Sequence, residues 1–203
     1  ISACLVGSEM CIRDSITAAQ LRVEAPIGAV SLDGAGNRVA TLGDSQAGGG
    51  FTLRTAEALD IAGNVNAAGT TLRLTVDAGD LTQQADTRLV AARLAVAAPV
   101  GGVRLEAAGN AIDRVSGTAR DAIAIRTAGG LTVEGTGLRA ASVTLRAAGD
   151  IGQETDALVV AGALRAISEA GAVRLRDPLN RIGALGDSAA ATELLLGTEG
   201  TLR

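Results

Sequence analysis

The stretch "AGDLTQQADTRLV", residues 78–90, returns as "AGDIGQETDALVV" at residues 148–160. Asp80 and Asp150 are 70 residues apart, and the sequence that follows keeps this interval: "VRLEAAGNAIDRV" from Val103 aligns with "VRLRDPLNRIGAL" from Val173. An earlier copy, "LRVEAPIGAVSLDGAGNRVATL" from Leu21, matches "LAVAAPVGGVRLEAAGNAIDRV" from Leu94 at an interval of 73. Here Pro26 falls opposite Pro99, Gly28 opposite Gly101 and Asn37 opposite Asn110. A third copy opens where "LGDSQAGGGFTLRTAEAL" from Leu42 matches "LGDSAAATELLLGTEGTL" from Leu185, at an interval of 143 that equals the other two together. Self-similarity at a long fixed period belongs to architectures in which each unit buries its apolar face against its neighbours. About two and a half units are present, so the chain is expected to be an internal piece of a longer repetitive protein, incomplete at both ends.

Within a unit the signal is short alternation. Val30-Ser31-Leu32, Val103-Arg104-Leu105 and Val173-Arg174-Leu175 each set two aliphatics on one side of a polar residue, as do Phe51-Thr52-Leu53, Leu59-Asp60-Ile61, Ile123-Ala124-Ile125 and Leu131-Thr132-Val133. Period two is the pattern of a half-buried strand. Between these triplets stand Gly36-Asn37, Gly63-Asn64, Gly79-Asp80, Gly109-Asn110, Gly149-Asp150 and Gly186-Asp187. Gly reaches positive φ without steric cost and Asn or Asp bonds its own backbone, so these dipeptides mark corners. The Ala-rich residues 87–100 admit a helix ended by Pro99, but the counterpart at 157–171 carries Val159-Val160 and Gly162, which favours strand.

The core must be thin. Hydrophobic residues make up 47 % of the chain, yet there is one Phe (Phe51) and no Trp or Tyr. A globular core draws much of its buried area from aromatic rings. A narrow coil filled by Ala, Val, Leu and Ile does not need them. Strands of three to six residues, glycine corners and a long repeat therefore predict an all-β parallel β-helix, a solenoid in which 70 residues make three to four coils. The alternative is an antiparallel β-sandwich, which would show larger core residues and no such period.

Residues 1–15, "ISACLVGSEMCIRDS", stand apart: they hold the single Met and both cysteines, Cys4 and Cys11, and do not fit the repeat. They resemble translated artefacts that recur at the ends of assembled reading frames. They are expected to be a non-native segment or unrelated leader, with the β-helix region running from 16 to 203. No His accompanies the cysteines, which argues against zinc.

"LRVEAPIGAVSLDGAGNRVATL", "GGGFTLRTAEALDIAG" and "TLRAAGDIGQ" resemble the β-strand repeats of filamentous-haemagglutinin-type exoproteins, the large bacterial proteins of two-partner secretion, with related repeats in autotransporter passengers. The resemblance covers about residues 16–203 and rests on repeat style, not on a catalytic motif. It implies a right-handed parallel β-helix, secreted through an outer-membrane pore and displayed extracellularly at the bacterial cell surface.

Several residues invite a sharper function. Asp80, Gln83 and Asp86, with Asp150, Gln153 and Asp156, raise calcium, but the spacing is neither that of an EF-hand nor of a glycine-aspartate repeat. A role in turning the chain is expected instead. Asn37, Asn110 and Asn180 are expected to satisfy backbone groups at a turn. Gly48-Gly49-Gly50 and Gly135-Thr136-Gly137 lack the Lys-Ser/Thr and helix of a phosphate loop. Carboxylate pairs such as Glu154 with Asp156 raise glycoside chemistry, which needs a cluster beside a sugar groove. No catalytic, cofactor-binding or metal residue is therefore assigned. The net charge of −4, with every basic residue an Arg and no aromatic platform, speaks against nucleic acid, and no apolar run is long enough to span a membrane. The expected function is a structural stalk of a secreted adhesin, not an enzyme, whose cut ends would associate end to end. The alternatives are a β-face that binds a host glycan or matrix protein, and a carbohydrate-active β-helix enzyme.

Overall fold

In the computed structural model, residues 15–202 are described; Cys4, Met10 and Cys11 lie outside them. The described residues contain strands, turns and bends but no helix. Twenty strands join in one continuous sheet, and every pairing is parallel. The chain winds as a β-solenoid of about nine turns.

One column of paired residues traces the stacking. Leu59 pairs with Leu81, Leu81 with Val103, Val103 with Ile123, Ile123 with Val143, Val143 with Leu164 and Leu164 with Leu185. Each step is one turn. At ~4.8 Å per step, nine turns make a rod on the order of 40 Å long. A turn such as 38–55 crosses three short strands, Arg38–Leu42, Ser45–Ala47 and Phe51–Thr55, which form three faces.

The alternating triplets are strands with the expected side inward. Val103–Leu105, Val173–Leu175 and Leu59–Ile61 each bury both aliphatics and turn the middle residue outward. The six Gly-Asn and Gly-Asp dipeptides named above all fall between strands. The Ala-rich stretch forms the strand Leu89–Ala98, not a helix. One expectation needs correction. Strands are not limited to three to six residues: Val65–Val76 has 12 and Leu131–Ala147 has 17. They pass round the softer corners without losing extended backbone, through Gly69 in the first case and Gly135 and Gly137 in the second, all at positive φ.

The interior is a single aliphatic cluster running the length of the rod. Phe51, the one aromatic, is buried within it. Alanines also stack within the core: Ala98 pairs with Ala119, and Ala140 with Ala161, all four buried. Each fully buried Leu contributes about 2 kcal/mol of burial.

Candidate functional site

The polar residues singled out in the sequence converge at the corners, and they bond to one another across turns. Asn110 is fully buried. Its Oδ1 accepts from the Leu89 amide at 2.9 Å, one turn back, and from Gln83 Nε2 at 2.8 Å. Its Nδ2 donates to Gln83 Oε1 at 2.9 Å and to the Leu105 carbonyl at 3.2 Å. One turn further on, the Thr127 hydroxyl shares its one proton between the carbonyls of Asn110 and Ile112 and accepts from the Ile112 amide, all at 3.2 Å. A corner must turn strand backbone away from its ladder, leaving amides and carbonyls to be satisfied. The Gln–Asn–Thr stack supplies those partners over three turns.

The repeat rebuilds this stack. Gln153 Nε2 donates to Asn180 Oδ1 at 2.6 Å, and Asn180 Nδ2 donates to Gln153 Oε1 at 3.0 Å. The Val159 amide donates to Asn180 Oδ1 at 2.8 Å, and Thr198 caps Asn180 through its carbonyl at 3.0 Å. In the first copy Asn37 accepts from Ile16 and donates to Leu32, with Thr55 in the hydroxyl position. Among the described residues, no buried side-chain nitrogen or oxygen is left without a partner.

Asp80 and Asp150 also hold adjoining turns together. Asp80 Oδ1 accepts from the Gly102 amide at 2.7 Å, and Asp150 Oδ1 from the Ala172 amide at 2.7 Å. The residues that raised calcium do not point to a common centre: Asp80 faces the next turn and Gln83 faces Asn110. Asp86 and Asp156 lie on exposed corners. Glu154 pairs with Arg114, not with Asp156. Gly48 and Gly137 are packing positions: a Cβ on either would overlap a carbonyl oxygen, that of Pro26 or that of Leu158.

Sequence reasoning placed Gln83 and Asn110 in separate roles and missed their partnership. The available signal was that both recur after 70 residues, as Gln153 and Asn180. Thr55, Thr127 and Thr198 were not singled out at all, although each follows its Asn by 17 or 18 residues.

The copies do not lie above one another. Leu81 heads a column that reaches Val143 in three turns, whereas its sequence counterpart Ile151 pairs with Leu131 and Val173, past the next corner. The asparagines show the same advance. Asn110 sits above Leu89, and Asn180 above Val159, whose column descends through Leu138 to Gly117 and Val96. One unit is thus three turns plus about one third, and each copy is rotated by one face.

Over residues 119–189 the chain is similar to a family described as repeats of unknown function (DUF5649), a match about one period long. No curated protein and no solved structure matches the chain.

Proposed function

We propose that this chain is a structural rod segment of a large exported protein displayed at a bacterial surface. The observation that carries this reading is the fate of the repeated polar residues. Gln83, Asn110, Asp80 and their counterparts spend their hydrogen bonds on the neighbouring turn. What the repeat conserves between its own copies is thus the means of stacking another turn. The rotation of each copy supports the same function, since no face gathers the repeated residues into an array. Export through an outer-membrane pore and surface display rest on the sequence resemblance alone.

Two measurements test it. Negative-stain images of chains with added units should show rods that lengthen by ~16 Å per unit. Fractionation of the producing cells should place the protein outside the inner membrane. A shape that does not lengthen, or a protein confined to the cytoplasm, would overturn the proposal.

A further inference from the structure

A trough of about 800 Å³ runs along one side of the rod across five successive turns. Ser31, Thr52 and Arg73 form one outward row, each paired with the next turn. Arg93 and Arg114, paired in register, continue the basic side, and Asp113 is the one carboxylate in the lining. Glycines at 49, 50 and 69 leave part of the trough without side chains.

The arginines are held in place. The Glu134 side chain, only 13 % exposed, lies within 3.3 Å of Arg93 Nε and 3.6 Å of Arg114 Nη1. Arg114 also pairs with Glu154. These carboxylates use part of each guanidinium fork, which carries five donors. Arg73 is exposed and has no carboxylate partner among the described residues. The trough therefore presents more donor capacity than its own acids consume.

The geometry points to a binding site for a linear acidic polysaccharide of the polyuronate class, lying along the rod axis. Five turns span about 19 Å, room for several sugars in a row. The floor offers the hydroxyls of Ser31 and Thr52 to sugar hydroxyls, and the guanidiniums match carboxylates as forked, charge-assisted pairs. No apolar hollow in the lining would take a peptide side chain, and no aromatic ring is exposed to stack on a nucleobase. This site goes beyond the rod proposal and fails separately from it, since a bare rod would still lengthen unit by unit.

The test is calorimetric titration of the 203-residue chain with oligogalacturonate, alongside neutral amylose oligosaccharides and single-stranded DNA. Saturable binding to oligogalacturonate alone is expected. Arg73→Gln should weaken it about tenfold. Arg104→Gln, an exposed change on another face, should leave it unaltered. Circular dichroism of both variants should match that of the parent, because neither residue is buried. Absence of saturable binding, equal binding of the neutral sugar or the DNA, or an equal loss in Arg104→Gln would overturn the assignment.

Discussion

Gln83 and Asn110 lie on adjoining turns and exchange two hydrogen bonds, at 2.8 and 2.9 Å, with donor and acceptor reversed between them. Two side-chain amides paired in this way each retain one further donor and acceptor for backbone. Asn110 uses its own on Leu89 and Leu105. The pair therefore works as a rivet: it ties two turns through side chains and closes the corner of each.

Removing the rivet should orphan several groups at once. Asn110→Ala leaves the Leu89 amide, the Leu105 carbonyl and the Gln83 amide without their partner. A loss of about 3 kcal/mol is expected, from ~1–3 kcal/mol for each buried group left unsatisfied, reduced by local relaxation. Urea titration would give the total, and hydrogen exchange at Leu89 should quicken locally. An unchanged Leu89 amide would contradict the role given to Asn110.

Gly137 has φ 74 and lies against the Leu158 carbonyl. Gly137→Ala adds both a strained dihedral and a steric overlap with backbone. A loss of at least ~2 kcal/mol is expected. Gly129→Ala is the control, since its added Cβ meets nothing within 4 Å. Similar thermal midpoints for the two variants would refute the steric account.

Core packing is a third point. Ala119 ends its strand, paired with Ala98, and both are buried. Ala119→Leu should cost about 1–3 kcal/mol by overpacking. Leu81→Ala, also in the core, should cost about 2–5 kcal/mol by leaving a cavity. If Ala119→Leu instead stabilised the rod, the alanine stack would not be closely packed.

Whole-unit deletions separate sequence period from turn period. Deleting residues 81–150 brings Ile151 to the position of Leu81 and preserves the order of corners. Deleting 81–142 removes three full turns and keeps the same column, but sets the strand headed by Val143 where the strand headed by Leu81 stood, so the corners that follow are those of the next face. Both deletions keep the Gln153–Asn180 pair. The first deletion is expected to fold with a sharp unfolding transition, and the second to fold less stably. The reverse order would mean that column continuity matters more than the order of corners.

The architecture was legible because it depends on local signals. Triplets such as Val103-Arg104-Leu105 declare their inward side, and Gly109-Asn110 declares the next corner. The partnership of Gln83 with Asn110 was not legible. It spans 27 residues, more than the 20 to 22 of a turn traced on the Leu59 column, because Gln83 enters the corner on one turn and Asn110 leaves the same corner on the next. The length of Leu131–Ala147 was hidden for a related reason. Gly135 and Gly137 interrupt the apolar alternation, yet strand bonding to adjoining turns carries the backbone through them. The arginine trough was invisible because Arg73, Arg93 and Arg114 meet only once the turn length is known.

The third of a turn by which each copy advances gives the rod a screw axis. An antibody raised against the exposed corner around Asp86 would find its second epitope, around Asp156, a third of the way round the circumference and ~16 Å further along. Consecutive copies of one epitope never fall in line on one flank. In a long rod built this way the fourth copy stands above the first, so three azimuths offer the same surface, displaced only along its length.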